Sequence, residues 1–312
     1  MKLLNNRCPA ASSTFALCAL LFVLCVSADA QQAIKIPRIG YISGTGNATD
    51  QGPYVESLRR GLRDLGHVNG RNIVIEFRGA EGKLDRVKGL ISELVHLNVD
   101  ILVIPLRGGI LAARDATKTT PIVMVAGIDP VADGLVNNLA RPGGNITGLS
   151  TLSRELGGKR FELLTEMVPQ LYRVGVLKNS DEPSSAAGIF EQYQTAAKAL
   201  NIEIRSLEVG GPNPDLEGAF RTAIKERLRA IITITSAPLF LQRKRIVDLA
   251  LTNRIATAYQ GSVWVEAGGL MSYSSDDIEA FRRAAWYVDK ILNGTKPAEL
   301  PIEQPTKFEL VI

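Results

Sequence analysis

Short apolar runs alternate with segments of helical periodicity along the first half of the chain. The run at residues 38–43 ends in a glycine turn, and residues 54–65 then carry apolar side chains three and four positions apart. That spacing predicts an amphipathic helix, whereas an uninterrupted apolar run predicts a buried strand. The alternation continues with predicted strands at 72–78, 100–105 and 121–126 and predicted helices at 84–97 and 109–117. Uninterrupted apolar strands between amphipathic helices indicate a parallel sheet covered on both faces.

The same cycle begins again near residue 150. It predicts helices at 159–168, 186–200, 216–227 and 239–252 and strands at 173–178, 202–209, 230–235 and 255–259. The strands at 38–43, 72–76 and 100–105 resemble those at 173–178, 201–205 and 230–235, at offsets of 129 to 135 residues. Near-constant offsets favour two similar lobes, although any two halves built of short apolar strands would look alike.

The last part of the chain predicts a return to the first lobe. A strong helical pattern at 278–292 is followed by three prolines and a final apolar segment. The simplest topology then crosses between the lobes near Gly148, Ser274 and Pro301. We therefore expect an α/β fold with two doubly wound, Rossmann-like lobes joined by a three-crossing hinge, which would close on a ligand. The expected limits are 36–149 plus 275–301 for lobe 1, and 150–274 plus 302–312 for lobe 2.

The first thirty residues have the three parts of a secretory signal peptide. Lys2 and Arg7 give a positive start, residues 15–26 are apolar, and Ala28 and Ala30 form a small-x-small cleavage pattern. The apolar run is shorter than the roughly 20 residues of a permanent membrane helix. We therefore expect cleavage after Ala30 and a periplasmic protein. A membrane anchor and a lipid anchor are the alternatives.

Composition and charge exclude several classes. Of the 312 residues, 46% are hydrophobic and 22% charged, which is ordinary for a globular protein and unlike collagen, coiled coils or disordered chains. The 36 basic and 32 acidic residues give a net charge of +4 and are interspersed, so nucleic-acid binding is not expected. The three cysteines all precede residue 31. The mature chain would therefore have no disulfide, thiolate metal site or cysteine nucleophile.

Candidate catalytic chemistry is scarce. A dinucleotide fingerprint starting at Gly44 would need a glycine where Thr49 stands. Neither His67 nor His96 follows a predicted strand. Two neighbouring aspartates, 276 and 277, lie at a helix start, where they would serve the helix dipole. The sequence thus predicts no catalytic residue, no cofactor and no metal.

Ligand positions follow from the expected sheets, because ligands of open parallel sheets bind beyond the carboxyl ends of the strands. Hydroxyl, amide and free N–H groups there would suit amine, hydroxyl and carboxylate groups, and a tyrosine could stack on a ring. The candidate ligand-binding residues are Ser43, Gly44, Thr45, Arg107, Gly108, Asp129, Asn179, Ser180, Ser236, Tyr259 and Tyr273.

Four segments resemble one known family. They are GLRDLG with GRNI at 61–73, LARPGGNITGLS at 139–150, VEAGGLMSY at 265–273 and LPIEQPTKFELVI at 300–312. They are similar to ABC-transporter substrate-binding proteins of the tryptophan and tyrosine uptake type, over nearly the whole mature chain. The resemblance implies a type I periplasmic-binding-protein fold without catalysis. It also implies a small-molecule solute that is delivered to an ABC permease and its ATPase in the inner membrane.

The chain departs from the family pattern at two places. Residues 127–130 read Gly-Ile-Asp-Pro where the family commonly reads Gly-Asp-Pro, and Arg107 stands near a usual small residue. Family members usually continue beyond the position of Ile312, so the sequence leaves open whether the chain is complete or a fragment. The pocket is accordingly expected to differ from those of its relatives.

The expected protein is a monomeric periplasmic solute-binding protein of an ABC importer. Its solute would be a small organic acid, such as an amino acid or an aromatic carboxylate, held in the cleft between the lobes. Two alternatives stay open at this point: a ligand-sensing module that reports to a membrane receptor, and a secreted α/β enzyme.

Overall fold

The computed structural model describes residues 35–151, 156–181, 183–211 and 213–312, and at 183–186 only the backbone. Residues 37–312 form one compact unit. The predicted signal peptide and its cleavage site lie outside the described residues. Within the described part of the chain, no helix combines the length and the apolar character that a membrane span requires.

The first sheet contains five parallel strands in the order β2-β1-β3-β4-β5. Its strands are β1 Arg38–Ser43, β2 Val74–Gly79, β3 Ile101–Ile104, β4 Ile122–Ala126 and β5 Ile146–Ser150. Its connecting helices are α1 Pro53–Asp64, α2 Val87–His96, with a 3-10 turn at Leu84–Arg86 before it, and α3 Arg107–Ala116.

The second sheet contains six strands in the order β11-β10-β9-β8-β6-β7. Its strands are β6 Arg173–Asn179, β7 Glu203–Val209, β8 Ala230–Thr233, β9 Ala256–Tyr259, β10 Met271–Ser275 and β11 Phe308–Val311. All of them are parallel except β11, which pairs antiparallel with β10. Its helices are α4 Gly157–Met167, α5 Pro183–Ala199, α6 Leu216–Lys225, α7 Ala237–Leu241, α8 Arg243–Thr252 and α9 Ser262–Glu266.

Most strands are apolar on both faces because helices cover both faces of each sheet. In β1, Ile39 and Tyr41 enter one apolar core, whereas Ile42 enters the core on the opposite face. In β6, Val176 and Leu177 are divided between two cores in the same way. Successive side chains of a strand point to opposite faces, so uninterrupted apolar runs are what such buried strands require.

The end of the chain joins both sheets. Helix α10, Asp277–Leu292, packs against α1 on the first sheet. Gly61 permits the close approach, because a Cβ there would lie 2.5 Å from the carbonyl oxygen of Arg282. After a 3-10 turn at Pro297–Glu299, the chain returns to the second sheet as β11. The chain therefore passes between the sheets three times, which confirms the predicted fold class; the exact lobe limits stay a prediction.

The segment predicted as one helix at 239–252 is two helices, α7 and α8. The break falls at Gln242, whose N–H reaches back to the carbonyl oxygens of Pro238 and Leu239. The residues before it thus form a separate short helix directly after β8. This arrangement places Phe240 against Trp264 in the core, with Phe240 also facing the cavity described next.

Candidate functional site

A cavity of about 320 Å³ lies at the carboxyl ends of strands from both sheets. On the first sheet it is lined by the residues that follow β1, β3 and β4, and on the second sheet by those that end or follow β6, β8, β9 and β10. Parallel α/β sheets bind ligands at this edge. The volume is at the lower end of the range for small-molecule sites, about 300–1,000 Å³, so the cavity suits a small solute.

The loop after β1 forms part of the wall. The hydroxyl oxygen of Ser43 accepts the N–H groups of Thr45, at 3.2 Å, and of Gly46, at 2.8 Å. These bonds hold the glycine turn against the end of the sheet. A Cβ at Gly44 would lie 3.1 Å from the Cβ of Ala237. The turn after β1 therefore closely approaches the first residue of α7, the helix that follows β8.

Aromatic rings form the apolar side of the cavity. The ring of Tyr54 stacks on that of Phe281 with centroids 4.8 Å apart, and the ring of Phe240 lies 6.1 Å from Tyr54. The three residues come from α1, α10 and α7. Tyr54 packs against apolar cores of both sheets, and burial raises the pKa of its hydroxyl. Such rings offer a flat apolar surface to a ligand ring.

Four buried polar atoms along the second-sheet wall have no hydrogen-bond partner among the described residues. They are Asn179 Nδ2, Thr235 Oγ1, Ser236 Oγ and Gln260 Nε2. The amide oxygens of the two amide side chains are in use, because they accept the N–H groups of Asp181, at 2.9 Å, and of Thr235, at 3.1 Å. Unpaired buried polar groups are rare and destabilising, and here they leave N–H and O–H groups available to a ligand.

Two charged side chains line the cavity and differ in their partners. Arg107 donates Nε and Nη2 to the carboxylate of Asp133, at 3.1 and 2.8 Å, and that hydrogen bonding raises the pKa of Arg107. The Asp277 carboxylate has no hydrogen bond or ion pair to any described residue. Burial, and secondarily the neighbouring Asp276, raise the pKa of Asp277 from 3.8 to about 7.

The two aspartates at the start of α10 therefore have different roles. Asp276 caps the helix, because its carboxylate accepts the N–H of Glu279 at 2.9 Å. Asp277 lines the cavity. Sequence reasoning assigned both to the helix dipole, and for Asp277 that assignment is incomplete. The missed signal was β10: Asp276 and Asp277 directly follow this parallel strand, where ligand-binding side chains are expected.

Six of the predicted ligand-binding residues do line the cavity: Ser43, Gly44, Thr45, Arg107, Asn179 and Ser236. The structure places Gly108, Asp129 and Ser180 outside it, all three exposed to solvent. Asp129 instead caps a turn, since its carboxylate accepts two backbone N–H groups at 3.0 Å. Ser180 follows Asn179, and alternation along the chain turns its side chain away.

The two predicted stacking tyrosines are also outside the cavity lining. Tyr259 is fully buried in the core, where its ring stacks on Trp264 with centroids 4.6 Å apart. Tyr273 lies on β10 beside Phe308 of the edge strand, at 6.3 Å. The residue after Tyr259, Gln260, occupies the cavity wall instead.

His67 and His96 also lie outside the cavity lining. His67 Nε2 lies 3.0 Å from the carboxylate of Asp289, and His96 Nδ1 lies 2.7 Å from the carbonyl oxygen of Ser92. Over the described ranges, no group of three or more His, Cys, Asp or Glu side chains is arranged to hold a metal ion.

The fold defines an α/β protein of the type I periplasmic-binding-protein kind, with a cavity at the strand ends. The family of ABC transporter substrate binding proteins matches residues 47–312, and the chain belongs to this family. Family members are solute-binding proteins, not enzymes, and are extracellular or periplasmic. A tyrosine-binding protein of Clostridioides difficile is 25% identical over 265 residues, which are 83% of this chain and 75% of that protein.

Solved structures show the same fold. A conserved domain protein from Vibrio cholerae is 26% identical and superposes with a TM-score of 0.78, covering 89% of this chain and 92% of that one. An ABC domain from Streptococcus pneumoniae, solved in complex with L-Trp, is 23% identical with a TM-score of 0.72, covering 88% and 91%. A ligand-free, open substrate-binding protein with adhesive properties from Clostridium difficile is 22% identical with a TM-score of 0.61, covering 88% and 91%.

Proposed function

We propose that this chain is the periplasmic component of an ABC importer that carries a small amphipathic organic solute, an amino acid or an aromatic carboxylate. The observation that carries the proposal is the cavity at the strand ends of both sheets. It combines an aromatic side, around Tyr54 and Phe281, with buried polar atoms that have no partner among the described residues.

Relatives support the choice of solute class. One curated relative is a tyrosine-binding protein, and one structural neighbour holds L-Trp. Both ligands have an aromatic ring and a polar end. The cavity is divided in the same way, into an aromatic side and a polar side. The polar groups would orient the solute while the rings cover its apolar part.

Delivery to a permease requires that the bound form differ from the free form. In the proposed mechanism, lobe 1 (36–149 with 275–301) and lobe 2 (150–274 with 302–312) close on the solute about their three connections. Closure buries the solute and brings surfaces of both lobes into the arrangement that the inner-membrane permease and its ATPase recognise. Export with cleavage after Ala30 would put the protein in the compartment where it acts.

A ligand panel tests the proposal directly. The full chain is exported in a bacterial host, purified as the processed protein, and melted with amino acids, aromatic acids, nucleosides and sugars. A ligand at a hundred times its Kd adds about 2.7 kcal/mol to the free energy of unfolding. For a chain of this size the melting temperature then rises by roughly 5–10 °C. The solute should be recovered unchanged.

Three results would overturn parts of the proposal. A cooperative melt without any shift across amino acids and aromatic acids would contradict the solute class. Chemical conversion of a bound compound would contradict a purely binding role. Binding of the solute by the purified protein, without uptake of that solute by the cells that naturally carry the protein, would favour a sensor.

A further inference from the structure

Asp277 occupies an unusual place in the cavity. It is the first residue of α10, and its carboxylate Oδ2 lies 3.6 Å from the point where a Cβ of Gly261 would stand. Gly261 has a φ of 117°, a conformation that disfavours any other residue. The missing side chain leaves room beside the carboxylate, next to Gln260 on the cavity wall.

No described cation inside the cavity neutralises this carboxylate. The other charged group of the lining, Arg107, gives two of its N–H groups to Asp133. Beyond the lining, the charge of Arg160 lowers the pKa of Asp277, while its guanidinium donates to the Tyr273 carbonyl and the Tyr193 hydroxyl. The Asp277 side chain is partly exposed in the open cavity, and a solute without a cation would remove its carboxylate from water without a partner, which is unfavourable.

The second-sheet wall, in contrast to Asp277, offers hydrogen-bond donors. The free N–H groups of Asn179 and Gln260, with the hydroxyls of Thr235 and Ser236, offer several donors to a ligand oxygen. A solute with both a cationic group and an acceptor group would pair with the Asp277 carboxylate and with these donors. An aromatic acid without an amine would bring its negative charge into a cavity that already contains Asp277.

We propose that Asp277 binds a protonated amine of the solute and thereby selects amine-bearing aromatic compounds over aromatic carboxylates. This inference rests on the proposed function and narrows its solute class. The ammonium group donates to the Asp277 carboxylate, and the oxygen-bearing end of the solute faces the donors of the second-sheet wall. The ring lies against Tyr54, Phe240 and Phe281.

Matched pairs of probes test the inference without any substitution. Calorimetric titrations of the processed protein at pH 8 compare L-tryptophan with indole-3-propionate, and L-tyrosine with 4-hydroxyphenylpropionate. Each pair differs only in the amine. At least one amino acid should bind about thirtyfold or more tightly than its amine-free partner, because an unpaired buried charge is costly.

Substitutions then assign the selectivity to one carboxylate. Asp277→Asn should lose at least about thirtyfold in affinity for the amino acid and bind both members of the pair alike. Asp277→Glu should keep the preference. Asp276→Asn is the matched control, since it removes a neighbouring charge while asparagine still caps the helix, and it should keep both affinity and preference within threefold.

The outcomes separate the two proposals. Equal or tighter binding of the amine-free acids to the wild-type protein would refute the role of Asp277 while leaving the solute-binding function intact. Unchanged selectivity in Asp277→Asn would do the same. If none of the four probes bound, the inference and the proposed solute class would both be wrong.

Discussion

Replacing Asp277 by asparagine should stabilise the ligand-free protein, and more so at higher pH. The pKa of Asp277 is raised by burial from 3.8 to about 7. Below pH 3.8 the carboxyl is protonated in both the folded and the unfolded chain, so it has no pH-dependent effect. Between these two values the folded protein keeps a proton that the unfolded chain releases. Stability therefore falls as pH rises through this window.

The magnitude follows from the size of the shift. Each pKa unit corresponds to 1.36 kcal/mol, so for this partly exposed side chain the penalty is at most about 4 kcal/mol above pH 7 and at most about 1 kcal/mol at pH 4.5. Asparagine has no charge to desolvate. It forfeits about 0.3–1 kcal/mol of favourable interaction between the charged aspartate and the helix N-terminus. Asp277→Asn should thus gain up to about 3 kcal/mol at pH 8 and little at pH 4.5.

Urea unfolding of the processed protein at pH 4.5 and pH 8, without ligand, measures the difference. The groups that act on this carboxyl through their charges are Asp276, Arg160 and Glu309. These three groups are present in both proteins, so their own contributions to stability cancel to first order in the comparison. Asp276→Asn serves as the control and should change stability by less than about 1 kcal/mol. A gain for Asp277→Asn that is absent, or equal at the two pH values, would refute the reasoning.

Other expected outcomes concern packing and ligand contacts. Gly61→Ala should cost about 1–3 kcal/mol in urea unfolding, because the new methyl group meets the Arg282 carbonyl. Gly89→Ala, in open space on α2, should gain about 0.5–1 kcal/mol; equal effects of the two changes would contradict the packing argument. Thr235→Val removes a buried unpaired hydroxyl, so a thermal melt should show unchanged or higher stability while titration shows weaker solute binding. Tyr54→Leu should lower solute affinity about tenfold or more through loss of ring stacking, whereas Tyr54→Phe should retain it in the same titration.

The alternation of apolar strands and amphipathic helices predicted the fold because it follows from burial on both faces of each sheet. The helix at 278–292 returned to the first lobe as expected, since its apolar stripe had no other partner in a completed second half. The break between α7 and α8 was missed. Apolar residues on both sides of Gln242 keep nearly the same periodicity, so the pattern does not register the break.

Only some of the residues that line the cavity could be predicted from the sequence, for a related reason. The rule that ligands bind after strand ends found Ser43 and Asn179, but it does not say which neighbour faces the cavity. At β9 it selected Tyr259, which points into the core, while Gln260 lines the wall. The aromatic rings were missed because Phe281 is identical in pattern to any core residue of an amphipathic helix.

The placement of the lining residues bears on how solute preference could diverge among descendants of this chain. Thr235 and Ser236 follow a strand, and their hydroxyls have no hydrogen-bond partner among the described residues, so mutation can exchange these polar groups with little damage to folding. Phe240 and Phe281 belong to the cores as well as to the cavity. A substitution there must satisfy two selective pressures at once. We therefore expect the preference for a flat aromatic ring to persist in descendants far longer than the specificity for the substituents on that ring.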